Sequence, residues 1–389
     1  MTHWLWMAAV LLAVLGAGAG GAEEMDAKEA ARRADEAVGT LVAHFWDAKE
    51  GNFYDHYPSP RGHTGYWTSA QAIDAVLDAA ERTKDPRYLE VIRGFFKGRE
   101  RRGWLVDFYD DENWMALALL RAHKLTGDEA YLRQSETLMA DISKEWDTSC
   151  CGEEPGGIWW DQAHTQKATA SNAGPALLAA RLYQETQKQA YLDFSRQVYA
   201  YWRKNMVDPK TYQVLDHIEP SGAKLAWRFT YNEGLMIGAA AELYRTTHEK
   251  AYLEDAHHIA AFMVAKETHE TRLGPVLHDG SNEQCRGDGQ AFKGVGCRYL
   301  ALLQQVSPRK EYLTVLRAGA EAVWELGRDP QTGILAVSWA GPPMKSASTA
   351  QQAAATMAVS MYADLLSRQE PKRPPERTGA TRKGKQSCG

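Results

Sequence analysis

The sequence predicts an all-α protein, an (α/α)6 barrel of six inner and six outer helices. Three observations lead there. A Tyr-Leu turn recurs at a near-regular interval, at Tyr88, Tyr131, Tyr191, Tyr252 and Tyr312. A mostly apolar helix precedes each turn and a more charged one follows it. The two ends of the chain hold one further helix of each kind.

Taken in order, residues 1–22 are an apolar run that closes in Gly and Ala. They read as a secretory signal peptide with cleavage after Ala22, which implies a secreted or periplasmic protein. The run is shorter than the ~20 residues a membrane span needs. The barrel is expected over residues 23–368. It opens with a charged, outer-type helix from Asp26 to Trp46. Five apolar segments follow: "SAQAIDAVLDAAER", "ENWMALALLRAHK", "NAGPALLAARLYQET", "EGLMIGAAAELYRTT" and "AFKGVGCRYLALLQQ". Helices apolar over most of their circumference are buried on most sides, so these are the inner layer. The Tyr-Leu turns are separated by 43, 60, 61 and 60 residues, a period that marks a repeated supersecondary unit. Ser348 to Arg368 is a sixth, Ala-rich inner helix, and the Asp26–Trp46 helix is its outer partner. An open solenoid would need polar caps at both ends; complementary end helices favour a closed ring. Residues 369–389 are basic and Pro-rich and read as a disordered tail.

The chain has 389 residues, 44% hydrophobic and 24% charged, enough apolar material for a large core. A net charge of -5 gives no basic face for nucleic acid. A monomer is expected. The five cysteines contain no CxxC pair, and one disulfide is possible with its pairing open. The twelve histidines show no metal-ligand spacing, so neither metal nor cofactor is indicated.

In such a ring the loops entering the inner helices gather at one end. They carry "GYWTSAQ", "FYDDEN", "QKATASN", "RFTYNEG", "QAFKGVG" and "SASTAQQ", and the third is preceded by "CCGEEPGGIWWDQ". Flat rings beside uncharged hydrogen-bonding groups are what sugars require. Trp67, Gln71, Tyr109, Trp159, Trp160, Asn172, Tyr231 and Asn232 are the candidate substrate contacts. Asp110 and Asp111 are the candidate catalytic pair. A single carboxylate there would be explained as a helix cap near the positive end of the macrodipole. A second beside it adds repulsion that folding does not require. Adjacent carboxylates can lie about 5–6 Å apart, the range of retaining glycosidases, and repulsion splits their pKa values into an ionised nucleophile and a protonated acid. Lys293 and Arg298, on a small-residue inner helix, are expected to form structural ion pairs.

On "YWTSAQAIDAVLDA", "FYDDENWMALALLRAH", "GGIWW", "SNAGPALLAARLY", "FTYNEGLMIGAAAELY" and "DGQAFKGVGCRYLALL", the chain resembles glycoside hydrolase family 76, the α-1,6-mannanases and their relatives. The resemblance spans about Ala30 to Arg368. It implies an (α/α)6 barrel acting with retention on α-mannan, with Asp110 as nucleophile and Asp111 as acid/base. Two alternatives stand beside hydrolysis by an endo-α-1,6-mannanase. One is transglycosylation at the same site; the other is a non-catalytic carbohydrate-binding barrel.

Overall fold

A computed structural model describes residues 25–279 and 287–369. The expected signal peptide and nearly all of the expected tail lie outside the described residues. Twelve α-helices run α1 (Ala27–Phe45), α2 (Tyr66–Thr83), α3 (Pro86–Arg102), α4 (Tyr109–Thr126), α5 (Glu129–Lys144), α6 (Thr169–Thr186), α7 (Gln189–Met206), α8 (Thr230–Thr247), α9 (Lys250–Lys266), α10 (Phe292–Val306), α11 (Lys310–Glu325) and α12 (Thr349–Gln369). The even-numbered helices form the inner ring: α2 packs on α4, α4 on α6, and so on round to α12, which returns to α2. The odd-numbered helices lie outside them, and α1 covers α12 as the end-helix complementarity requires. The fold is the predicted (α/α)6 barrel.

The repeated turn has a local cause. Lys84, Gly127, Gln187 and His248 end four inner helices in the left-handed region, at φ of 57, 73, 56 and 60°. That conformation stops a helix and turns the chain back on itself. The next helix starts one residue later, on Asp85 or Asp128 as side-chain N-caps in two cases. The Tyr of each Tyr-Leu is the third residue of its outer helix, and its leucine or ring meets the hydrophobic core.

A second repeat, at the opposite end, was not visible in the sequence. The fourth residue of four inner helices accepts the backbone N–H of the preceding loop. Glu112 holds Val106 at 2.9 Å, Asn172 holds Ile158 at 2.7 Å, Glu233 holds Val214 at 2.9 Å and Gln352 holds Leu335 at 3.0 Å. Ile158, Val214 and Leu335 also pair with residues just past the preceding outer helix, at Trp146, Val207 and Arg328. Each loop is therefore pinned to the inner helix it feeds. A buried N–H needs such a partner.

Short strands, which an all-α reading does not anticipate, thread the same loops. They are β1 (Trp46–Asp47), β2 (Asn52–Phe53), β3 (His56–Tyr57), β4 (Lys167–Ala168), β5 (His217–Ile218), β6 (Lys224–Leu225), β7 (Thr268–Thr271), β8 (Gly274–Leu277) and β9 (Ala347–Ser348). β3 pairs antiparallel with β9, His56 opposite Ser348, and so ties the first loop to the last.

Inside the ring, Arg298 takes both oxygens of Asp78 at 2.8 and 2.7 Å and pairs with Asp74 at 2.9 Å, while Arg121 reaches Asp78 at 2.7 Å. Burial alone would raise the Asp78 carboxyl; the two guanidiniums outweigh it and hold it below the usual range. Arg298 is structural, as expected. Lys293 instead donates to the Val337 carbonyl at 2.8 Å and lies over the Trp339 ring. Gly234 and Gly296 let α8 and α10 touch: a Cβ on Gly296 would stand 2.7 Å from Thr230. Cys150 and Cys151 form a disulfide, and Cys297 is buried and free.

The pinning makes a stability prediction. Asn172→Ala leaves the buried Ile158 N–H without its acceptor and should lower unfolding free energy by about 1–3 kcal/mol. Urea denaturation measures it; an unchanged midpoint would show that the pin contributes nothing.

Candidate active site

The N-terminal ends of α2, α4, α6, α8 and α10 surround a cavity of about 410 Å³, within the range of small-molecule sites. The second residue of each of four of these helices faces it: Trp67, Asp110, Ala170 and Tyr231. Asp111 and Trp114 join from α4, Phe292 and Val295 from α10. Adjacent residues on a helix project about 100° apart. Asp110 and Asp111 both reach the cavity because it wraps the end of α4 instead of lying along one flank.

Neither aspartate caps the helix. The N-cap is Phe108, which offers no side-chain acceptor. The acids sit in the first turn, where the macrodipole favours an anion by ~0.3–1 kcal/mol. Burial opposes this and prevails. It pushes Asp110 up to about 7, against the pull of the Trp160 indole and nearby backbone N–H groups, with Asp288 adding to the rise. Asp111 is raised well above its ordinary value, by burial first and then by the charges of Asp110 and Asp288. The Asp110 Oδ1 is buried and has no hydrogen-bond partner among the described residues. Burial thus raises both carboxyls, the charge of each disfavours ionisation of the other, and one oxygen is left for an incoming group.

Of the predicted contacts, Trp67, Trp160 and Tyr231 line the cavity with the two aspartates. The other five do not line it, for identifiable reasons. Gln71 stands one turn deeper on α2 than Trp67 and borders a small interior void with Asp74, Arg121 and Arg298. Tyr109 is buried and raised by burial and by Glu145, an outer-layer neighbour. Asn172 is the pin on Ile158. Asn232 donates to Asp216 at 3.0 Å. Trp159 stacks on His164 at 4.6 Å with Lys167 over its ring. Consecutive residues of an extended segment point opposite ways, so of Trp159 and Trp160 only one could face the cavity.

Lys167 organises that loop: its ammonium donates to the carbonyls of Asp147 at 3.0 Å and Gly156 at 2.8 Å, and to Cys150. Trp160 packs against Phe108 at 4.8 Å, 49° between planes.

Sequence reasoning missed Asp216, Asp288, Gln166, Trp227 and Phe229, which also line the cavity. Asp288 accepts the Trp67 indole N–H at 2.8 Å and opens the stretch "DGQAFKG", so a signal was present. Asp216 had none. It lies in the loop before β5 and enters the site because its carbonyl accepts the Thr169 N–H at 2.8 Å. Its carboxylate takes the Tyr231 hydroxyl at 2.6 Å and His217 Nδ1 at 2.7 Å. Among the described residues, four carboxyl groups line the cavity, and no Lys, Arg or His does.

Comparison with known proteins bears on the family and the fold. The model of glycosyl hydrolase family 76 matches residues 29–373. The chain is 26% identical over 233 residues to the mannan endo-1,6-alpha-mannosidase DCW1 of Candida glabrata, covering 55% of this chain and 51% of that protein. It is also 26% identical over 285 residues to a putative mannan endo-1,6-alpha-mannosidase of Schizosaccharomyces pombe, covering 66% and 63%. The chain thus spans between half and two thirds of the length of these relatives. Among solved structures, the GH76A alpha-1,6-mannanase of Salegentibacter sp. HEL1_6 superposes with a TM-score of 0.80 at 27% identity, over 87% of this chain and 99% of that one. An inactive variant of that enzyme in complex with alpha-1,6-mannotriose superposes at 0.79 and 26%, over the same shares. With the family model matched over nearly the whole barrel, the chain belongs to glycosyl hydrolase family 76.

Proposed function

We propose that the protein is an exported, retaining glycoside hydrolase that cleaves α-mannan as an endo-α-1,6-mannanase. The observation that carries this reading is the adjacent carboxyl pair on the first turn of α4, recessed in a cavity lined by aromatic side chains. Four carboxyl groups in the lining disfavour phosphate and other anions. Indoles and hydrogen-bonding groups suit a neutral, hydroxyl-rich ligand. The names of the relatives and the mannotriose complex support α-1,6-linked mannose as that ligand.

The chemistry follows from the coupling of the two carboxyls. Burial raises both, and each charge opposes the other, so ionisation of one leaves its partner protonated; following the family resemblance, Asp110 is the nucleophile and Asp111 the acid. An Asp110 oxygen bonds to the anomeric carbon opposite the leaving oxygen. The C1–O bond breaks, and the Asp111 proton passes to the departing oxygen. Water then attacks C1 of the glycosyl-enzyme and gives a proton to Asp111, and Asp110 leaves as carboxylate. Two inversions restore the original configuration.

Three predictions follow from this assignment. Incubation with linear α-1,6-mannan should release oligosaccharides of mixed length early, and Asp110→Asn should slow this by at least about 10³-fold. Because the Asp110 carboxyl is raised from 3.8 to about 7 in the fold, native stability declines as pH climbs through that interval. An asparagine escapes the penalty, so Asp110→Asn should melt at or above the parent temperature at pH 8. Release of mannose alone, or a variant that keeps most activity, would contradict the reading.

The third concerns the pH dependence of the rate. The rate should rise as Asp110 ionises and fall as Asp111 deprotonates, giving a bell-shaped kcat/KM profile. Its acid limb should lie near 7, where burial places Asp110. A limb near 4, the ordinary aspartate range, would show that the nucleophile is not buried as described.

A further inference from the structure

We propose that Trp227 is a stacking platform for a pyranose ring of the glycan outside the position held by Asp110 and Asp111. The inference rests on the glycan reading above and names a binding position beyond the reacting one.

Among the described residues four large apolar side chains are exposed: Leu105 at 55%, Phe108 at 37%, Trp227 at 55% and Met344 at 38%. Three of them are in loops that feed the cavity. Leu105 and Phe108 precede α4, and Trp227 lies between β6 and α8. Phe108 and Trp227 both line the cavity. Leaving an indole in water forgoes the largest burial gain a side chain offers. Apolar groups exposed at the rim of a polar site mark where a ligand rests.

Trp227 is held, and what holds it belongs to the cavity wall. The His217 ring meets the indole at 5.0 Å and 72°, and Phe229 meets it at 6.3 Å and 75°. Neither stacks flat on it. His217 is buried and bonded to Asp216, whose other oxygen takes the Tyr231 hydroxyl and the Asn232 amide. Trp227 is thus linked through His217 to the carboxylate that lines the site. An exposed indole, held by its neighbours and continuous with a cavity lined by carboxyl and aromatic groups, fits the C–H face of a neutral sugar.

The chain seated there is a continuation of the one being cut. A polymer bound with one sugar at Asp110 and Asp111 must leave the cavity across its rim. Trp227 and the Phe108–Trp160 pair are the aromatic surfaces it can cross.

Binding to the catalytically silent Asp110→Asn/Asp111→Asn protein tests this. Calorimetric titration with α-1,6-mannotetraose and with methyl α-mannoside gives the preference for the longer ligand. Adding Trp227→Ala should lower that ratio about tenfold, the size of one aromatic contact. Trp227→Phe should restore part of it, which a merely structural role for the indole would not produce. Tight tetraose binding that Trp227→Ala leaves unchanged overturns the platform alone. No tetraose binding while Trp227 is present removes the glycan reading, and the platform with it.

Discussion

Two carboxyl groups on adjacent residues are held half-buried in a cavity at the N-terminal turn of α4, and the surrounding architecture makes that arrangement possible. Asp110 and Asp111 repel each other, and burial disfavours the charge on each. The macrodipole returns only a fraction of this. The pair persists because α4 is fixed from several sides. Glu112 pins the loop before it, α2 and α6 flank it in the ring, and α5 backs it. Ion pairs from Arg121 to Asp78 on α2 lock its middle. The strain of the site is confined to one helical turn and supported by the rest of the barrel.

The ring also fixes what the cavity contains. Four inner helices contribute their second residue to the cavity, and four contribute their fourth to a loop pin. This division separates binding groups from structural ones that look alike in sequence. Tyr231 and Asn172 both belong to polar loop motifs, yet one lines the cavity and the other holds Ile158. The outer helices contribute no lining residue; they close the ring and bury its apolar exterior.

How much was legible follows from this geometry. The helix count, the two layers and the closure were readable because apolar faces and the Tyr-Leu turn repeat locally. The aspartate pair was readable because two adjacent acids exceed what a cap needs. The pins were not, since each joins residues 6 to 19 apart through a backbone N–H that leaves no mark on composition. Gln71 and Asn172 were assigned to the site because loop membership was read without depth along the helix. Trp159 and Trp160 could not be told apart without knowing which side of the extended chain faced inward. Asp216 entered the site just before a strand two residues long, too short for any periodicity to announce.

The central claim is that Asp110 and Asp111 act as nucleophile and acid in a double displacement. Proton NMR of the first product released from an α-mannoside substrate, recorded before mutarotation, tests it most directly. The account predicts the α-anomer first. Initial appearance of the β-anomer would mean single displacement by water, and Asp110 would not be the nucleophile.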